Sequence, residues 1–200
     1  MSRSILAIHG AFSTPKIFNY LKREFRTYDW NFLDYKNTVS DINGLIDRAV
    51  QEQSAHAPRH PYHIVGHSMG GLIGLALAEH PWVQSVTTIA TPLGGLDVNL
   101  FQSYFSRSTF FNEISSYSDF VTGLHRQTYL KPIQHIVSTE GFNPWVYERT
   151  DGVVTLRSQR AWSAGPTYDV DANHSEVMLH PDTVTILKRF WAAGPIDRDY

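Results

Sequence analysis

A chain of 200 residues can bury one sizeable core and is short for two, so a single domain spanning 1–200 is expected. A formal net charge of −2, with 18% charged and 42% hydrophobic residues, offers no basic face for a polyanion and excludes nucleic acid as an expected partner. The absence of cysteine excludes disulfides, thiolate metal sites and a cysteine nucleophile; no apolar run approaches the roughly 18 residues of a membrane span, and "MSRSILAIHG" is too short for a signal peptide, so a cytoplasmic location is expected.

In chain order, "SILAIH" (4–9) reads as a buried strand ended by Gly10, with the loop "GAFSTP" behind it. Ile42, Leu45, Ile46, Ala49 and Val50 recur as one stripe of a helix that Ser40 or Asp41 can cap. Tyr62–Gly66 is the next strand, Leu72–Glu79 a helix apolar nearly all round, and Val83–Ala90 a strand again. Such alternation implies parallel βαβ units. Residues 93–130 break the rhythm with a Ser- and Phe-rich stretch and no obvious strand, which reads as an insertion over one end of the sheet. Strands resume at Ile133–Ser138 and around Thr167–Val170, and a last helix runs from Pro181 to near Gly194 with Val184, Leu187 and Trp191 on one face.

Between the strand at 62–66 and the helix behind it stands Gly66-His67-Ser68-Met69-Gly70, the pattern G-x-S-x-G. A hydroxyl at a tight strand-to-helix bend projects clear of the sheet, and a Cβ at 66 or 70 would crowd that bend. Serine needs a base within reach, itself held by a carboxylate. In the α/β-hydrolase arrangement, which this strand-bend-helix motif resembles, these follow the serine in the order acid, then histidine. Of ten histidines, His125, His135, His174 and His180 follow in positions that fit. His174, in the loop "DANHSEVMLHP", is preferred over His180, which abuts Pro181. Asp151 in "ERTDGVVT" is the expected acid, since the loop after strand 133–138 emerges on the same side as the bend; Asp-Gly is also an ordinary turn, and Asp119 and Glu140 stand as alternatives. The backbone N–H of Met69, at the start of a helix, and that of Ala11, after the first strand, are the expected donors to a developing oxyanion. Phe12 and His67 are candidate substrate contacts.

The ordered pieces "AIHGAF", "IVGHSMGG", "IATPLGG", "TDGVV" and "NHSEV" resemble those of small serine hydrolases of the α/β-hydrolase superfamily, nearest to lipases and esterases, over Ile5 to about Trp191. The resemblance implies a minimal, mostly parallel sheet of about six strands flanked by helices, without the usual N-terminal hairpin, and carries the nucleophile onto Ser68, the base onto His174, the acid onto Asp151 and the oxyanion donors onto Ala11 and Met69. The expected function is hydrolysis of small-molecule or lipid carboxylic esters through an acyl-enzyme, with no metal or other cofactor. Thioesterase, amidase or acyltransferase chemistry on the same residues is the alternative, and a non-catalytic binding module of the same fold the remaining one. Phe101, Tyr104, Phe105, Phe110, Phe111, Tyr117 and Phe120 crowd the insertion 93–130, which either lines an acyl pocket as a lid or is pinned to the body by these rings. Oligomeric state has no signal.

Overall fold

Six parallel strands form one sheet in the order β2-β1-β3-β4-β5-β6: β1 Ser4–Ile8, β2 Asp29–Leu33, β3 Tyr62–His67, β4 Val83–Ile89, β5 Ile133–Ser138 and β6 Thr167–Val170. The structure, a computed structural model, describes residues 4–35, 41–56, 61–96 and 112–192. Between the strands run α1 Asn19–Glu24, preceded by a 3-10 turn at Pro15–Phe18, α2 Ile42–His56, α3 Met69–Ala76, α4 Asp119–Arg126 and α5 Leu156–Gln159; a 3-10 turn at Glu176–Leu179 leads into α6 Pro181–Ala192. Among the described residues no helix is long and apolar enough to cross a membrane.

The alternating faces of a strand explain why two cores form. Leu6, Ile8 and Ile64 point to one side, where Ile42, Leu45 and Ala49 of α2, Leu72 and Ile73 of α3, and Val121 and Leu124 of α4 cover them. Ile5, Ala7 and Val65 point to the other, against Leu21 of α1 and Val184, Leu187 and Trp191 of α6. β1 and β3 are therefore buried along their whole length, as strands covered on both faces are. The stripes anticipated for α2 and α6 are the buried ones.

The differences lie at edges and ends. β2 is an edge strand with Asp29 and Asn31 exposed and Trp30 and Phe32 half-buried, too short and too polar to announce itself. α3 begins at Met69, three residues before the helix expected from Leu72, because the chain turns into it directly from the bend; it ends at Ala76 rather than Glu79. Within 93–130 no strand is described, but α4 is: Ser118 Oγ accepts from the Val121 amide at 3.1 Å as its N-cap. Phe101, Tyr104, Phe105, Phe110 and Phe111 lie outside the described residues, as do Ser40 and Gly194; Tyr117 is exposed and Phe120 packs against the core.

Candidate active site

β1 sends its chain toward β2 on one side, while β3 lies on its other side. The loops leaving the carboxyl ends of β1 and β3 diverge at this switch in strand order, where open parallel sheets leave a crevice. A cavity of about 610 Å³ lies there, walled by the turn Gly10–Ser13, by His67, Ser68 and Met69, by Leu96 and Ile114 from the two sides of the insertion, and by Val153, Val154 and His174.

Ser68 stands at the tip of the bend with φ 55° and ψ −128°, a left-handed backbone rarely adopted by a residue with a side chain. The bend is held from both directions: the Ser68 amide donates to the Ile89 carbonyl at 2.8 Å and the Gly71 amide to the Ser68 carbonyl at 3.0 Å. A Cβ on Gly66 would fall 2.3 Å from the Gly70 carbonyl oxygen, and one on Gly70 would fall 2.1 Å from the Ile8 carbonyl oxygen, so backbone meets backbone at both positions. Met69 opens α3, where the leading N–H groups of a helix have no carbonyl ahead of them. Across the cavity, Phe12 also has a positive φ of 54°, next to the half-buried Ala11.

The structure brings His174 and Asp151 together. Nδ1 of His174 lies 2.7 Å from Oδ2 of Asp151, and the His174 amide donates to the Asp151 carbonyl at 2.9 Å, so side chain and backbone are joined at the same pair. Because Oδ2 can only accept, Nδ1 carries the proton and Nε2 of a neutral His174 carries the lone pair. Asp151 is 1% exposed. Burial pushes its carboxyl upward, but hydrogen bonding and charge from His174, the Ser138 hydroxyl and the Val154 amide outweigh that and hold it below its ordinary range.

His67 is buried beneath His174, the ring centroids 4.8 Å apart, and its Nε2–H donates to the His174 carbonyl at 2.8 Å. Its Nδ1 is buried with no hydrogen-bond partner. Burial first, then the positive charge His174 can carry, lowers the His67 imidazole to about 3. His67 thus borders the cavity as a neutral support under His174, while Phe12, 60% exposed, stands at its mouth.

The alternatives are placed elsewhere. Asp119 opens α4 and Glu140 is exposed. His125 bonds to the Leu93 carbonyl, His135 to the Thr88 hydroxyl, and His180 Nδ1 accepts from the Asp182 amide. Two buried residues without any motif also converge on Asp151: Ser138, the last residue of β5, and Gln159, the last of α5. The only sequence signal for them is a polar residue where burial is expected.

A model of the family described as "Thioesterase domain" matches residues 3–80, from β1 to just beyond α3, the stretch that carries Ala11, Ser68 and Met69. No curated protein matches. Among solved structures, the chain is similar to a lipase-esterase related protein from Clostridium acetobutylicum ATCC 824, at 17% identity and TM-score 0.67, covering 94% of this chain and 95% of that one. It is similar to the mature Bacillus licheniformis lipase BlEst2 at 14% identity and TM-score 0.71, covering 94% and 91%. The RedJ thioesterase of the prodiginine biosynthetic pathway in Streptomyces coelicolor gives 15% identity and TM-score 0.64, covering 94% and 84%. The chain has the α/β-hydrolase fold, with a six-stranded parallel sheet between two layers of helices.

Proposed function

We propose that the protein is a serine hydrolase that cleaves carboxylic esters, with Ser68 as nucleophile, His174 as base and Asp151 as the acid that orients it. The observation that carries this reading is the buried 2.7 Å contact between His174 and Asp151 on the wall of the cavity into which the left-handed Ser68 bend opens. The likeness to lipases and thioesterases in fold supports a hydrolase and leaves the leaving group open.

In this mechanism Ser68 Oγ attacks the substrate carbonyl carbon as Nε2 of His174 takes its proton. The Ala11 and Met69 amides hold the resulting oxyanion, each worth on the order of 3 kcal/mol. Collapse expels the alcohol, which takes its proton from His174, and leaves an acyl group on Ser68; water deprotonated by His174 then releases the acid and restores the serine. Asp151 stays ionised throughout and stabilises the imidazolium that forms twice per cycle. The residues present need no metal or organic cofactor for these steps. The walls formed by Ile17, Leu96, Ile114, Val153 and Val154 suit an uncharged acyl group, and Phe12 caps its outer end. The domain is read as one unit, with the insertion 93–130 cap-like and contributing Leu96 and Ile114.

A second reading, thioester hydrolysis by the same residues, is favoured by the thioesterase family match over 3–80. One acyl group presented as oxygen ester, thioester and amide separates the two. Labelling by a fluorophosphonate at Ser68, lost in Ser68→Ala and His174→Ala, is the expected result for either. A well-folded wild-type protein that neither labels nor turns over any of the three substrates refutes both and leaves the binding module.

A further inference from the structure

Asp151 receives more donors than its link to His174 requires. At Oδ1 it accepts from the amides of Val153 at 2.9 Å and Val154 at 2.7 Å. At Oδ2, the oxygen that His174 uses, it also accepts from Ser138 Oγ at 2.5 Å and from Gln159 Nε2 at 3.0 Å. Gln159 is fixed in its orientation, since its Oε1 accepts from the Ser138 amide at 3.0 Å while Nε2 donates to the Ser138 carbonyl at 3.1 Å. The glutamine therefore extends the end of β5 like one further pairing residue and spends its remaining N–H on Asp151. Both side chains are buried, Ser138 fully and Gln159 at 1% exposure, so neither donor has water as an alternative.

We infer that Ser138 and Gln159 are positioning residues that act through Asp151, aiming Oδ2 at His174 and drawing off part of the charge that the carboxylate presents to the imidazole. The inference rests on the proposed roles of Ser68, His174 and Asp151. Backbone amides already fix Oδ1, which leaves Oδ2 as the oxygen whose direction and charge side chains can set. Each donor to Oδ2 competes with the imidazolium for the same lone pairs, and so weakens the stabilisation of protonated His174. The other titratable group against this pair is His67, with His9 behind it. The charged residues of the adjoining segments, Glu140, Glu148, Arg149, Arg157, Arg160, Asp169, Asp171 and Glu176, are exposed, and those near α5 are paired as Arg157–Glu148 and Arg160–Asp169.

The test is the pH profile of kcat/KM on an activated p-nitrophenyl ester for the wild type, Gln159→Met and Ser138→Ala, with the downfield proton resonance of His174 Nδ1 as a second readout. Removing a donor leaves Oδ2 more negative, so the acid limb is expected to move up by about 0.5–1 pH unit, the plateau to fall roughly 10-fold, and the Nδ1 proton resonance to shift. An acid limb within about 0.1 unit of wild type in a folded variant, or one that moves down, overturns the inference whatever happens to the plateau, because a mere structural support changes rate without moving the limb. Should one variant fail to fold, the other decides; should both fail, the pair is structural and the inference falls. Turnover that survives Ser68→Ala overturns the triad reading itself, whereas Ser68-dependent turnover with an unmoved limb overturns only this inference.

Discussion

The Ser68 backbone makes a stability prediction that is independent of any substrate. At φ 55° and ψ −128° the residue sits where a Cβ is strained, and such positions cost on the order of 1–3 kcal/mol. Ser68→Ala keeps the Cβ and hence the strain, whereas Ser68→Gly removes it. Against this, glycine adds freedom to the unfolded chain, worth roughly 0.5–1 kcal/mol in the opposite direction. The net expectation is that Ser68→Gly is more stable than Ser68→Ala by about 1 kcal/mol, which for a domain of this size is a Tm difference of about 2–4 °C. Thermal unfolding followed by circular dichroism, with urea denaturation as a second measure, resolves that difference, and the Ser68 hydroxyl is missing from both variants. A glycine variant equal to or less stable than the alanine variant would show that the bend is not strained and refute the reasoning.

Two further outcomes are expected. Gly70→Ala places a Cβ 2.1 Å from the Ile8 carbonyl oxygen and should cost at least about 3 kcal/mol in urea unfolding, while Gly123→Ala, in α4 with nothing within 4 Å, should gain about 0.5–1 kcal/mol; similar effects at the two sites would contradict the packing described. Burial lowers His67 to about 3 and His135 to about 4, whereas both titrate near 6.5 when unfolded, so below that value the unfolded chain binds the extra protons and stability falls with pH. By pH 4.5 each histidine should have removed on the order of 2 kcal/mol; Asp151, held below 3.8 when folded, adds its loss only under about pH 4, and a urea midpoint unchanged between pH 7 and 5 would contradict the assigned burial.

What the sequence discloses follows from where the physics is local. Short runs rich in apolar and β-branched residues mark β1, β3 and β4, which the sheet buries almost throughout. The bend at Ser68 is legible because its two flanking glycines answer backbone contacts that only glycine permits. β2 escapes notice because an edge strand with one half-buried face needs only Trp30 and Phe32, and two aromatic residues make no period. Chain order and the side of the sheet from which a loop emerges single out His174 and Asp151, which the fold sets 2.7 Å apart. Ser138 and Gln159 stay hidden because a serine or glutamine in sequence does not disclose whether water or a carboxylate will meet it. His67 shows the same limit: its neighbour Ser68 marks the motif, but only the tertiary packing puts its ring under His174 at the border of the cavity.

The all-parallel sheet also bears on when the site comes into existence during folding. Among the described residues every strand pair is parallel, so each strand finds its neighbour only after an intervening crossover has closed, and such non-local pairing is slow. Ala11 and Ser68 follow β1 and β3, whereas His174 lies beyond β6, whose one neighbour is β5. A nascent or proteolytically shortened chain ending before residue 170 would display the bent serine without His174, the base proposed for it. On the proposed roles, docking of β6 and the loop after it is the step that gives Ser68 its base, so nucleophilic power is withheld from fragments and folding intermediates until then.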